Sequence, residues 1–399
     1  MNPGRTAVRA ATRVLLWSLV FGLELAASVV ACFTARALVV SHWDEALPGD
    51  IRIDGAPAVH PQLEFACELA TEQLQSLFSK PDVIDDLRQL NAAVSLSLMD
   101  LSPGRAGVVR RLNEAGIPVT AWIALPKEEG YYLNAANAPE AVSRFAAFET
   151  WTGDYGLRWA RVGLDIEPSL QEFGAVRQGH WLRPAAAVVR RCFDTGSVKR
   201  ARNAYAALIG RIQSDGYRVE TYQFPFIADE RKANSTMLER FFGIVDVRGD
   251  REVFMTYTSY NHAIDSALIW QYGPEAQIVA VGSTAGDPEP GGKFNPLSWD
   301  EFTHDVIVAS HFSPVVGVYS LEGCVRQGFL PRLKTMNWGQ SFTIPAEANR
   351  KVIQLRTRIQ TALWIGSHLP YLAAAVLLLN LLLIWRRHNG NRSPARRTA

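Results

Sequence analysis

Several patterns that accompany common chemistries are missing from this chain. No G-x-G-x-x-G follows a strand-like run, no G-x-S-x-G is present, and the histidines lack H-x-x-x-H spacing. The 4 cysteines do not have the spacing of a metal site, and buried free thiols are the expected state. These absences argue against a dinucleotide enzyme, a nucleophile-elbow hydrolase and a metal enzyme. No cofactor and no metal are expected.

The chain also lacks the basic excess of a nucleic-acid-binding protein. Its net charge is +2, and the arginines near the two termini contribute +8, which leaves −6 for the region between them. No nucleic-acid partner is therefore expected. The eight terminal arginines flank two apolar segments and are Arg5, Arg9, Arg13, Arg386, Arg387, Arg392, Arg396 and Arg397.

Two apolar segments, residues 14–35 and 363–385, are long enough to span a bilayer as helices. Arginine beside a span tends to stay cytoplasmic, so residues 1–13 and 386–399 are expected to be basic cytoplasmic tails. The central domain, residues 46–350, would then be periplasmic or extracellular. A cleaved signal peptide or a lipoprotein site at Cys32 is the alternative for the first segment.

The first apolar segment contains one charged residue, Glu24. A carboxylate inside hydrocarbon costs about 3 kcal/mol on insertion scales, so Glu24 is expected to face a polar partner. His368 and Asn380 of the second segment are candidates, and so is a separate membrane protein. Lipid is the expected environment of both segments.

Strand-like apolar runs alternate with helical patterns through the central domain, which is typical of a parallel α/β fold. A further short strand near 51–53 would complete eight, and a helix is expected over 61–77. The spacing predicts a (β/α)8 barrel flanked by the two membrane helices. The seven runs are 93–101, 118–125, 159–167, 217–224, 252–258, 277–283 and 314–321.

One of these runs ends in two carboxylates. Strand periodicity places Val162, Leu164 and Ile166 on one face, and Gly163, Asp165 and Glu167 on the other. Carboxylates at a strand's C-terminal end occupy the face where α/β barrels carry their active sites. Two close acids perturb each other's ionisation, as general acid–base catalysis requires, although such acids also bind arginine or cap helices.

Other strand ends add polar and aromatic side chains to the same rim. Carboxylates mixed with aromatic rings suit a sugar, whose apolar face stacks while its hydroxyls form directed hydrogen bonds. Asp165, Glu167, Tyr257 and Glu322 are the candidate catalytic residues. The candidate substrate-binding residues are Asp100, Trp122, Gln223 and Tyr319.

Three strand ends resemble those of chitinase-type (family 18) glycoside hydrolases. Residues 163–167 (GLDIE) are similar to the end of the family's D-x-D-x-E strand, 254–257 (FMTY) to its Met-x-Tyr, and 316–322 (VGVYSLE) to its last strand. The resemblance implies that Glu167 protonates the glycosidic oxygen, while Asp165 and Tyr257 orient a substrate acetamido group. Gly163 replaces the motif's first Asp, and Thr258 replaces the acid that usually follows Tyr257.

Two other enzyme classes fit the same residues. A lysozyme-type (family 25) barrel also has a D-x-E strand end, and a general retaining glycosidase would use Glu167 as acid/base and Glu322 as nucleophile. The sequence therefore predicts a membrane-anchored glycoside hydrolase acting on an extracytoplasmic glycan, with N-acetylated sugars favoured. The alternative is an inactive barrel that serves as a glycan-binding or envelope-assembly module.

Overall fold

The computed structural model describes residues 19–35, 49–169, 188, 190–286 and 294–390, with side chains described up to residue 386. The expected N-terminal tail and the last residues of the C-terminal tail lie outside these ranges. Eight parallel strands, β2 to β9, pair in sequence order and β9 closes on β2. The strands in the described residues are β1 Ile51–Asp54, β2 Gln62–Cys67, β3 Ala93–Leu98, β4 Val119–Ile123, β5 Arg161–Asp165, β6 Val219–Gln223, β7 Arg251–Met255, β8 Ile278–Gly282, β9 Val315–Tyr319 and β10 Ser341–Ile344.

Helices surround the barrel, and their apolar faces pack on the outward side chains of the strands in one large core. The fold is therefore the expected (β/α)8 barrel. The helices are Leu19–Ala35, Thr71–Phe78, Pro81–Gln89, Pro103–Glu114, Ala138–Tyr155, Thr195–Ser214, Ile227–Lys232, Met237–Phe242, Ala267–Tyr272, Trp299–Ser310, Leu321–Arg326, Phe329–Leu333 and Ala346–Gly390.

The N-terminal part of the barrel differs from the expectation in two places. The strand near 51–53 is β1, which pairs with β10 in a separate two-stranded sheet, so its assignment to the barrel was wrong. The helix expected over 61–77 was also wrong in its first half, since β2 occupies Gln62–Cys67 and the helix begins only at Thr71. β2 is the first strand of the barrel.

An ion cluster occupies the barrel interior near the N-terminal ends of the strands. Arg251 contacts Glu64 at 3.1 Å and Glu220 at 2.5 Å, and the Thr120 hydroxyl donates to Glu64 at 2.6 Å. Burial, followed by the charge of Glu64, raises the pKa of Glu220 to about 7. The cluster explains how β2 can carry an acidic residue inside the barrel.

The C-terminal helix begins on the barrel and continues without a break past the expected domain boundary at residue 350. Its buried side chains include Val352, Arg356, Thr361 and Ile365. Among the described residues, Ala346–Arg386 is the one helix long and apolar enough to cross a bilayer, with a mean hydropathy of 1.9 in its most apolar window. The N-terminal helix Leu19–Ala35 is apolar but shorter, and the start of the expected first span is outside the described residues.

The two apolar helices touch through Asn380, one of the candidate partners of Glu24. The side-chain amide of Asn380 donates a hydrogen bond to the Glu24 carboxylate. His368 instead faces the carbonyl of Trp364 on its own helix. Asn380 thus supplies a polar contact for Glu24 within the chain.

Candidate active site

β5 ends with the two acids in different environments. Asp165, the last residue of the strand, is 3% exposed, whereas Glu167 is partly exposed. The backbone beyond the strand is held by Leu133, whose N–H donates to the Asp165 carbonyl and whose carbonyl accepts from the Glu167 N–H. The loop after β4 therefore fixes the position of Glu167 at the barrel mouth.

Both acids bind their protons more tightly than ordinary carboxyls do. Burial, and next the charges of Glu167 and Glu68, raise the pKa of Asp165 well above its usual value. Burial and the charge of Glu68 raise the pKa of Glu167 to about 8. Near neutral pH the pair therefore retains a proton that a general acid could deliver.

The third carboxylate, Glu68, follows β2 and was missed by the sequence analysis. Its Oε1 accepts a hydrogen bond from the Tyr131 hydroxyl at 2.5 Å, and its Oε2 accepts one from the Tyr319 hydroxyl at 2.6 Å. Burial raises the pKa of Glu68, but both phenols oppose the rise because they stabilise the ionised form. The expectation of a helix over 61–77 hid this strand end.

Tyr131 reaches Glu68 from a strained backbone position. Its φ is +65°, a left-handed conformation that is an outlier for a bulky side chain and costs about 1–3 kcal/mol. Tyr132 packs edge-on against the Tyr131 ring at a centroid distance of 4.8 Å. Burial, and next the charges of Glu68 and Glu167, raise the pKa of Tyr132 well above its usual value.

The candidate residues of the last strands lie at the same mouth. The rings of Tyr257 and Tyr319 stack with centroids 5.4 Å apart and planes 20° apart. Glu322 accepts a hydrogen bond from the Glu68 backbone N–H at 3.4 Å. Glu322 is therefore a neighbour of Glu68, and burial raises its pKa.

Trp122 lies inside the barrel beside this cluster. Its ring centroid is 6.2 Å from that of Tyr222, and only 6% of the residue is exposed. Neither its indole Nε1 nor Oδ1 of Asp165 makes a well-formed hydrogen bond. The indole opposes the rise that burial causes in the pKa of Asp165, so the two side chains are neighbours whose hydrogen-bonding capacity is not fully used.

Two of the candidate substrate-binding residues, Asp100 and Gln223, bind other parts of the protein. The Asp100 carboxylate binds the buried Arg105 at 2.9 Å and the Thr71 hydroxyl at 2.7 Å, and these contacts help to lower its pKa. Gln223 is fully buried and donates to the carbonyls of Val245 and Val247. The structure does not bring either side chain into the carboxylate cluster.

A cavity of about 30 Å³ lies along the barrel axis between the ion cluster and the mouth. Its lining includes Ser95, Tyr222, Tyr257 and Tyr319, and the hydroxyls of Ser95 and Tyr222 are 2.7 Å apart. This volume is enough for a water molecule but too small for a sugar. A sugar would have to bind above the cavity, at the open mouth.

No group of three or more His, Cys, Asp or Glu side chains in the described ranges is arranged to hold a metal ion. The arrangement is instead a set of carboxyls with different proton affinities, surrounded by tyrosines. Such a set can combine a proton donor, an ionised carboxylate and aromatic stacking surfaces. The molecule is thus an α/β barrel with a cluster of carboxyls and tyrosines at its mouth.

No family model and no curated protein matches the chain. Similar solved structures include an L-ribulose 3-epimerase (12% identity, 85% of this chain and 100% of that one, TM-score 0.37). A putative alpha-L-fucosidase from Bacteroides thetaiotaomicron has 8% identity over 71% of this chain and 93% of that one, with a TM-score of 0.37. Gas2p from Saccharomyces cerevisiae has 11% identity over 69% and 61%, with a TM-score of 0.34. At these TM-scores the matches carry no argument, and the barrel assignment rests on the strand pairing.

Proposed function

We propose that the protein is a membrane-anchored glycoside hydrolase that acts on an extracytoplasmic glycan. The observation that carries this proposal is the contrast between the carboxyls at the mouth. Burial and the charge of Glu68 raise the pKa of Glu167 to about 8. Burial also raises the pKa of Glu68, but that rise is opposed by two phenol donors that favour the ionised form. Glycosidic bond cleavage requires an acid and an ionised carboxylate with different proton affinities.

In this proposal Glu167 protonates the departing glycosidic oxygen. Tyr257 and Tyr319 form a stacked aromatic wall against which a sugar ring can pack. Trp122 Nε1 and Asp165 Oδ1, which make no well-formed hydrogen bond within the protein, can bind a hydroxyl or an acetamido group. N-acetylated glycans remain the favoured substrates, because the resemblance to chitinase-type and lysozyme-type enzymes pointed to them.

The first test measures the hydrolysis of alkyl glycosides of oligosaccharides, with and without N-acetyl groups, by Glu167→Gln. We expect kcat to fall by about 10²-fold or more, because the amide keeps the shape of the side chain but cannot supply the proton. The matched control is Glu128→Gln, which changes an exposed residue of the loop after β4 and should leave the rate unchanged. Equal activity of Glu167→Gln and the wild type would refute the assignment.

The wild-type rate should also depend on pH in a defined direction. A general acid works only while protonated, so kcat/KM should fall as the pH rises through about 8, the pKa of Glu167. The same basic limb should be absent for substrates whose leaving group needs no proton. A rate that increases steadily from pH 6 to pH 9 on alkyl glycosides would contradict the role of Glu167.

The second candidate is an inactive glycan-binding barrel. The position of the motif's first Asp is Gly163, and the ring of Tyr222 fills the space that a side chain there would need. A site that has lost part of its acid array can keep its binding surface. Measurable glycan binding by a wild-type protein that hydrolyses none of the glycans would favour this candidate.

A further inference from the structure

The positions of Glu68 and Glu167 in the barrel place them on different sides of the mouth. Glu68 follows β2 and Glu167 follows β5, and these strands are three positions apart in a closed ring of eight. Their ends are therefore separated by the strands β3 and β4 around the opening. Glu322 follows β9, the ring neighbour of β2, and binds the Glu68 backbone N–H. It lies on the Glu68 side.

The Glu68 carboxylate is held in place by hydrogen bonds to both of its oxygens. Both of its oxygens accept short hydrogen bonds, from Tyr131 at 2.5 Å and Tyr319 at 2.6 Å. Tyr131 donates from a backbone conformation with φ +65°, whose strain the surrounding structure must offset. Such preorganisation is typical of groups that act on a substrate.

A second feature of the site is the pair formed by Trp122 and Asp165. Trp122 is only 6% exposed, and neither its Nε1 nor Oδ1 of Asp165 makes a well-formed hydrogen bond. The indole opposes the rise that burial and the charges of Glu167 and Glu68 cause in the pKa of Asp165, so the two side chains are neighbours. Hydrogen-bonding capacity therefore remains beside the two acids at the end of β5.

We propose that Glu68 is the nucleophile of this site and that the enzyme cleaves its glycan with retention of anomeric configuration. The inference rests on the proposed glycoside hydrolase activity and deepens it. A nucleophile and an acid must contact opposite sides of the anomeric centre, and Glu68 and Glu167 extend from strands on different sides of the mouth. Glu322, the nucleophile suggested by the sequence, would instead support the position of Glu68.

The proposed reaction has two steps. First, a Glu68 oxygen forms a bond to the anomeric carbon while the bond from that carbon to the glycosidic oxygen breaks, and the leaving oxygen takes the proton of Glu167. Second, water attacks the same carbon and gives a proton to the Glu167 carboxylate. The ester bond to Glu68 breaks, and its electron pair returns to the Glu68 carboxylate.

Tyr131 and Tyr319 would act as positioning residues for the nucleophile. In the resting enzyme Tyr131 donates to Oε1 of Glu68 and Tyr319 donates to Oε2. The phenol on the attacking oxygen must release or share that oxygen as the new bond forms. Loss of one phenol should slow the reaction less than loss of the carboxylate itself. It should also shift the acidic limb of the pH–rate profile upward, because the ionised form of Glu68 loses a donor.

The test compares full-length variants on two glycosides of the same sugar, one with a dinitrophenyl leaving group and one with an alkyl leaving group. Glu68→Ala should lower kcat at least about 10³-fold on both substrates, because the nucleophile is needed whatever departs. Glu167→Gln should lower it mainly on the alkyl glycoside. Glu72→Ala, an exposed acid on the following helix, is the matched control and should retain full activity.

Two further measurements separate a nucleophile from a structural residue. Sodium azide should restore activity to Glu68→Ala on the dinitrophenyl glycoside and yield a glycosyl azide of inverted configuration. In the wild type, a 2-deoxy-2-fluoro glycoside with the same leaving group should add its sugar to a peptide that contains Glu68, as read by mass spectrometry. The labelling does not depend on any variant folding.

Several outcomes would overturn the assignment. They are an inverted product from the wild type, a label on Glu322 or Asp165, or Glu68→Ala activity within about tenfold of wild type. If the product keeps its anomeric configuration, no peptide is labelled and Glu68→Ala keeps its activity, the nucleophile is the substrate's own acetamido group. A wild type inactive on every glycoside would refute the proposed function, whereas an active wild type with an active Glu68→Ala would refute this inference alone.

Discussion

Gly163 shows how one residue separates this site from the chitinase-type motif that it resembles. A Cβ atom at this position would lie 2.7 Å from Cε2 of Tyr222, closer than carbon atoms can approach. The Tyr222 hydroxyl is anchored to Ser95 at 2.7 Å, so the ring cannot move freely. The missing acid is therefore replaced by an aromatic ring, and no cavity remains in its place.

This packing predicts that Gly163→Ala destabilises the barrel. The added methyl group forces a shift of the Tyr222 ring, and overpacking of this kind costs about 1–3 kcal/mol. Gly107→Ala is the control, because it lies in the helix Pro103–Glu114 with nothing within 4 Å of its Cβ position and should be neutral or stabilising. Thermal unfolding of both variants measures the difference, and equal melting temperatures would contradict the packing argument.

The strand β2 shows which elements the sequence could predict and which it could not. Runs such as Ile278–Gly282 are continuously apolar, so their strand assignment follows from composition alone. β2 contains Glu64 and precedes a segment rich in helix-forming residues, which favoured a helix. Glu64 is acceptable in the barrel because Thr120 and Arg251 bind it, and both partners are far away in the sequence.

The dependence on contacts between distant residues also explains why the sequence predicted only part of the candidate site. Asp165, Glu167 and Tyr257 could be identified because each stands at the end of a recognisable strand. Glu68 required β2 to be assigned first, and Tyr131 reaches it from a loop whose conformation no pattern specifies. The protein partners of Asp100 and Gln223 likewise follow from contacts that only the folded chain reveals.

The C-terminal helix is held to the barrel by a buried ion pair. Asp229, on the helix Ile227–Lys232, is fully buried and lies 2.9 Å from Arg356. It also accepts hydrogen bonds from Tyr272 at 2.6 Å and Gln360 at 2.8 Å. Since Arg356 also binds Glu275 at 2.5 Å, this single side chain joins three helical segments.

Removing Arg356 should therefore loosen this helix. Arg356→Met leaves the buried Asp229 without its cation, and breaking a buried pair in this way costs about 3–5 kcal/mol. Arg358→Met, two positions further along and exposed, should change stability by less than about 0.5 kcal/mol. Thermal unfolding in detergent tests the difference, and the double variant with Asp229→Asn should recover part of the loss.

At the scale of the whole molecule, one continuous helix joins the barrel to an apolar segment. Ala346–Arg386 contains 41 residues and at 1.5 Å per residue is about 60 Å long. Its closely spaced buried side chains extend to Ile365, and Val376 is buried further along among large exposed apolar side chains such as Leu378 and Leu382. The remaining length, about 30 Å, equals the hydrocarbon thickness of a bilayer.

The arginines at both termini predict that the barrel lies outside the cytoplasm. Val59→Cys places a thiol at a residue that is 85% exposed, in a variant whose partly exposed Cys32 and Cys192 are replaced by serine. A membrane-impermeant maleimide should label Val59→Cys in intact spheroplasts, whereas Ser393→Cys in the basic tail should react only after permeabilisation. The buried Cys67 and Cys324 should stay unlabelled in the native protein, so the serine variant without a new cysteine gives the background. The opposite pattern, with Ser393→Cys labelled in intact spheroplasts and Val59→Cys protected, would place the barrel in the cytoplasm and remove its access to an extracytoplasmic glycan.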